Sequence, residues 1–123
     1  MLDASALLAF LNDEPGAARV PATSGDAVMS SVNWAEVVSV LTSRGFDEDT
    51  IRRNLSRLAI EVIGFDGEQA ERAGFLLAAT KAKGLSLGDR ACLSAALSSG
   101  LTVIAADRAW GALSLGVKID LIR

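Results

Sequence analysis

Apolar positions along this chain follow two alternating rhythms, short β-branched runs and longer stretches at helical spacing, with Gly and Pro at the changes. Residues 1–3 are the stub of a strand, followed by an apolar helix over 4–12 that stops before Glu14-Pro15-Gly16. A short helix and loop fill 16–25, and 27–30 is a short strand. Over 32–44, Val37, Val38, Val40 and Leu41 recur at helical spacing, and Gly45 supplies the stop. Asp47 caps a polar helix through Leu58, AIEVIGF at 59–65 alternates as a strand, and Asp66 caps a long helix ending at Gly84. A helix over 86–99 ends at Gly100, and LTVIAA at 101–106 is a continuous apolar run, the mark of a strand buried on both faces. A helical turn after Asp107 and a strand over 117–122 close the chain. Short strands separated by helices need crossover connections. The pattern therefore predicts an α/β fold, a three-layer α/β/α sandwich around a mainly parallel sheet, in one domain over 1–123.

Composition narrows the chemistry. Apolar residues make up 50% of the 123, and the mean hydropathy is +0.35. That is rich enough to imply a partner surface, most simply a second copy in a homodimer. The single cysteine, Cys92, has no disulfide partner and reads as a buried reduced thiol. No run approaches the ~20 apolar residues of a membrane span, and no basic leader precedes Asp3, so the expected location is cytoplasmic with no membrane partner. A net charge of −3 argues against a broadly basic nucleic-acid-coating surface and leaves room for a local basic rim. Histidine is absent, which removes Ser-His and Cys-His pairs, imidazole ligands and histidine bases. Any catalysis must run on carboxylates, hydroxyls, amines or a bound metal.

In a parallel sheet, ligands bind at the carboxyl ends of the strands. Four acids interrupt apolar segments there. Asp3 and Asp107 follow strands, and Glu36 and Asp89 are expected in the first turns of helices. Each has an ordinary reading: Ser86-Leu87-Gly88-Asp89 fits a capping box, Asp3 and Asp107 fit N-caps, and Glu36 fits a first-turn charge. Jointly they mean more. Four carboxylates at one end of a sheet repel each other unless cations sit among them, and an all-oxygen set selects a hard cation, Mg²⁺ or Mn²⁺. Such a site suits metal-assisted phosphodiester hydrolysis.

MLDASALLAFL, SSVNWAEV, LSLGDRACLSAAL and VIAADRAWGAL, in this order, resemble the four acidic motifs of PIN-domain ribonucleases, above all the VapC toxins of bacterial toxin–antitoxin pairs. The resemblance spans nearly the whole chain. It implies an α/β/α fold, Mg²⁺- or Mn²⁺-dependent endonucleolytic cleavage of tRNA or ribosomal RNA, and silencing by a cognate antitoxin. Its acidic positions fall on Asp3, Glu36, Asp89 and Asp107, and Ser5 matches a supporting polar position. One departure is Ala105, where the family often has Thr or Ser.

Around these acids, Asn33 is placed to orient Glu36, touch RNA or cap its helix. Arg90 and Arg108 each follow a site acid and are candidates to hold phosphates or form ordinary ion pairs. Trp34 and Trp110 suit base stacking, packing or an interface. Arg44, Arg52, Arg53 and Arg57 offer a basic rim or a solvated face. Leu8, Phe10, Leu11 and Val40 offer an apolar surface for a second copy or an antitoxin. Two other functions compete: a catalytically weak PIN-like binding module, towards which Ala105 leans, and a receiver-like signalling domain, which also carries acids at strand ends. The receiver reading lacks a well-placed late lysine, since Lys118 falls inside the last strand.

Overall fold

A computed structural model describes residues 1–123. Its helices are α1 (Ala4–Leu11), α2 (Ser31–Ser43), α3 (Glu48–Leu55), α4 (Gly67–Phe75), α5 (Leu77–Thr80) and α6 (Leu87–Ser99), with 3-10 turns at Ala17–Arg19, Lys81–Lys83 and Arg108–Ala112. The strands are β1 (Ala27–Ser30), β2 (Ile60–Ile63), β3 (Val103–Ala105) and β4 (Ile119–Leu121). β1 pairs with β2 and β3 with β4, both in parallel, in registers that set Ala27 beside Ile60 and Val103 beside Ile119.

Residues 1–3 join the two pairs. The Leu2 N–H donates to the Val28 carbonyl at 2.8 Å, the Asp3 N–H to the Ile104 carbonyl at 3.0 Å, and the Ile104 N–H to the Met1 carbonyl at 2.8 Å. The N-terminal amine reaches the Thr102 carbonyl at 2.8 Å. The order across the sheet is thus β2, β1, residues 1–3, β3, β4, with Leu2 and Ile104 in parallel pairing. Alternation along each strand then fills two cores. Leu2, Ala27, Met29 and Ala106 belong to a cluster with α1, α2 and α3, whereas Met1, Val103 and Ala105 belong to one with α6 and Trp110. These two clusters on opposite faces are the expected α/β/α layering. α6 is buried nearly all round, from Ala91 to Ala96, and Gly100 at φ 67° ends it as expected.

Several boundaries differ from expectation. The strands over 59–65, 101–106 and 117–122 shorten to the residues that find ladder partners. The long helix over 66–84 is broken into α4, α5 and a 3-10 turn. At the break the Ala73 carbonyl, which an unbroken helix would bond to the Leu77 N–H, accepts from the Arg90 guanidinium at 2.8 Å instead. Helix α2 begins at Ser31 with Ser30 as its N-cap, so Glu36 lies in the second turn and not the first. The Ser30 side chain, which accepts from the Val32 N–H, sets the start one residue earlier than apolar spacing suggests.

Leu2 is fully buried at the joint between the strand pairs. Leu2→Ala should lower the unfolding free energy by about 3 kcal/mol in urea titrations; a loss below about 1 kcal/mol would mean residues 1–3 add little to the core.

Candidate active site

Asp3 leaves the sheet between β1 and β3 and caps α1, with 2% of its surface exposed. Its Oδ2 accepts from the Ser5 backbone N–H at 3.0 Å and from the Ser5 hydroxyl. That hydroxyl in turn accepts from the Ala106 N–H at 3.0 Å. Ser5 therefore ties the start of α1 to the residue before Asp107. It also places a hydroxyl beside the segment in which Ala105 lacks one.

Asn33, fully buried on α2, is the centre of the cluster. Its Nδ2 donates to Glu36 Oε2 at 2.9 Å and to the Gly88 carbonyl at 3.0 Å, with a longer approach of 3.5 Å to Asp3 Oδ1. All three neighbours are acceptors, so the amide can face them only with its nitrogen. Its Oδ1 is buried with no partner. Asn33 is thus neither the cap of α2, which is Ser30, nor an exposed RNA contact.

Asp89 occupies the first turn of α6 and completes the capping box: the Asp89 N–H donates to Ser86 Oγ at 3.1 Å and the Ser86 N–H to Asp89 Oδ2 at 2.8 Å. The cap engages Oδ2 and leaves Oδ1 outside it. Asp107 is exposed, and its Oδ1 accepts from the Ala109 N–H at 2.9 Å to cap the 3-10 turn Arg108–Ala112. Asp3, Glu36 and Asp89 feel each other's charge, whereas Asp107, exposed, is not among the charges acting on Asp3 or Glu36.

Burial, then repulsion from Asp89 and Glu36, push the Asp3 carboxyl up to about 6 against the pull of the Ser5 hydrogen bonds. Glu36 is also raised, by burial first, with Asn33 opposing and Asp89 adding. No ion pair of the protein touches any of the three. Arg90 does not serve them: its guanidinium turns to the Ala73 carbonyl and fastens α4 to α6, so neither an ion pair nor a turn towards the acids, the two roles the sequence offered, is what it makes here. Arg108 is exposed beside Asp107 and free of ion pairs. Trp110 is fully buried, which makes it packing and not a stacking platform. Cys92 is free and buried as expected, and burial pushes its thiol well above its ordinary range.

A hard divalent cation suits this donor set, because it supplies the positive charge that buried, unpaired carboxylates lack. In the conformation described, no three acids converge as a ligand set. Gly88 belongs to the cluster through its carbonyl, yet nothing in the sequence singles it out except a glycine inside the first turn of a helix.

The sequence model of the PIN domain family matches residues 1–114. The chain belongs to the PIN domain family. Nuclease activity is general to that family, and its nucleases typically use divalent metal ions. Membership removes the receiver-like alternative. No curated protein matches the chain. Among solved structures, it is similar to a toxin–antitoxin complex from Klebsiella pneumoniae, at 20% identity and TM-score 0.68, over 96% of this chain and 98% of that one. It is also similar to the DNA-bound VapBC of Salmonella typhimurium, at 19% identity and TM-score 0.69, over 100% and 97%. A third is VapBC2 of Rickettsia felis bound to a promoter DNA fragment, at 17% identity and TM-score 0.67, over 98% and 96%. At these identities the likeness shows the PIN fold. No helix is long and apolar enough to cross a membrane.

The raised Asp3 has a signed consequence. Its folded value of about 6 exceeds the ordinary 3.8, so this carboxyl favours folding fully below pH 4, and that contribution is lost as pH rises through 6. In EDTA, the wild-type chain should lose about 2 kcal/mol of stability from this group between pH 4 and 7, read as the difference from Asp3→Asn in urea titrations. Parallel pH profiles for the two chains would rule the shift out.

Proposed function

We propose that this PIN domain is a VapC-type toxin, an endoribonuclease that cuts tRNA or ribosomal RNA with Mg²⁺ or Mn²⁺ and is neutralised by a cognate antitoxin. The observation that carries the reading is the meeting of Asp3 and Glu36 at one buried asparagine, with Asp89 near enough to act on both by its charge and no ion pair of the protein on any of the three. Asp3, Glu36 and Asp89 would hold the metal, with Asp107 joining from the rim. A bound ion would lower the pKa of a water and stabilise the leaving oxygen of a phosphodiester.

The chain's own part is to orient and to keep charge in place. Ser5 holds Asp3 from below, Asn33 holds Glu36, and the capping box holds Asp89 against the first turn of α6. Arg108, exposed next to Asp107, is placed to meet a phosphate of RNA. Because metal must displace the proton of Asp3, binding should weaken below pH 6.

For the antitoxin, α2, α3 and β2 enclose an apolar groove of about 870 Å³ lined by Trp34, Val38, Phe46, Ile51, Leu55 and Leu58 among others. Leu8, Phe10 and Leu11 are instead half-buried against the core beside it. The groove suits an apolar helix or strand of an antitoxin. A homodimer is the simplest cover for Phe75, 79% exposed, with Leu77 and Leu87.

The test is cleavage of a mixed tRNA and ribosomal RNA pool in EDTA, Mg²⁺ or Mn²⁺, beside Asp89→Asn, whose amide oxygen still accepts the capping hydrogen bond. Cutting should need the metal and fall at least about 100-fold in the variant. Full cutting by Asp89→Asn would reduce Asp89 to a cap, and no cutting by the wild type while Mn²⁺ still raises its melting temperature would favour a binding module. Phe46→Asp should abolish co-purification with an antitoxin from the adjacent reading frame while leaving Mn²⁺ affinity unchanged; retained co-purification would place the antitoxin elsewhere.

A further inference from the structure

Gly88 is buried in the first turn of α6, and its carbonyl accepts from Asn33 at 3.0 Å. A methyl group on its Cα would stand 2.3 Å from Glu36 Oε1, and 2.5 Å from both Cδ and Oε2. Such distances are far inside van der Waals contact. The backbone does not ask for glycine here, because Gly88 is helical and has no positive φ. Alanine would serve the helix better. What glycine provides is room, and the atoms that use it are those of the carboxylate.

We infer that Gly88 is a positioning residue of the acidic site: its missing side chain is the recess in which the Glu36 carboxylate lies, held between Asn33 and the first turn of α6. Asn33 donates to both neighbours, to Glu36 Oε2 and to the Gly88 carbonyl, so one amide measures the distance between α2 and α6 and aims the carboxylate into that gap. The obstructed group is the far end of a flexible, half-exposed side chain. A methyl group at position 88 therefore expels the charge towards solvent without breaking the fold. The consequence for the metal rests on the nuclease reading above; the placement of Glu36 does not.

Three chains decide it: Gly88→Ala, Glu36→Ala and the double variant. In EDTA, the Asn33 side-chain amide resonances of Gly88→Ala should move towards those of Glu36→Ala, while its melting temperature stays at or above the wild-type value. Mn²⁺ affinity by calorimetry should fall about tenfold or more in Gly88→Ala and no further when Gly88→Ala is added to Glu36→Ala. Unchanged Asn33 resonances with unchanged Mn²⁺ affinity overturn the inference. So does a Gly88→Ala chain that fails to fold and is not rescued by Glu36→Ala, since the glycine would then serve the backbone. If the wild type binds no Mn²⁺ but the Asn33 resonances move, the metal reading fails and the recess stands.

Discussion

Backbone hydrogen bonds from the first three residues hold the sheet together. Without the bonds from Leu2 to Val28 and between Met1, Asp3 and Ile104, β1–β2 and β3–β4 are separate two-stranded ribbons, and short isolated pairs are marginal in water. Setting this segment at the middle of the sheet buries Leu2 and Met1 in opposite cores. It also carries Asp3, the next residue, into the interior, where the chain leaves the sheet for α1.

The position of Asp3 explains much of what surrounds it. A carboxylate removed from water needs hydrogen bonds, and Ser5 and Asn33 provide them. Glu36 and Asp89 then add like charge to a region that already disfavours it, and both the raised Asp3 and the raised Glu36 record the cost. The one arginine adjacent in sequence to these acids is committed to the Ala73 carbonyl, where it fastens α4 to α6. Gathering negative charge while the neighbouring arginine is engaged elsewhere is unfavourable by itself. Local stability is lower where such carboxylates meet than in the two apolar cores.

Asp3 and Asp107 are N-caps and Asp89 is the N3 partner of the Ser86 cap, and the capping bonds engage one oxygen of each carboxylate. A capping role therefore does not preclude a second one, because one oxygen of each carboxylate lies outside the capping bonds. Capping fixes the orientation of the carboxylate, which is what a metal-binding group requires of its surroundings.

By itself the sequence determined the layer architecture, because strand and helix periods and glycine stops such as Gly100 are local properties of neighbouring residues. It also determined that no chemistry here runs on histidine, which leaves carboxylates, hydroxyls, amines or a bound metal, and it marked Asp3, Glu36, Asp89 and Asp107 as acids set in apolar segments. Tertiary structure alone decided the rest. Whether Arg90 faces the acids or Ala73, whether Trp110 stacks or packs, where the helix over 66–84 breaks, and why position 88 has no side chain all depend on contacts between elements distant in sequence. Asn33 shows the reason most clearly: its partners are Asp3, thirty residues before it, and Gly88, fifty-five after it. No local pattern encodes such a meeting; only the packing of α2 against α6 and the sheet brings it about.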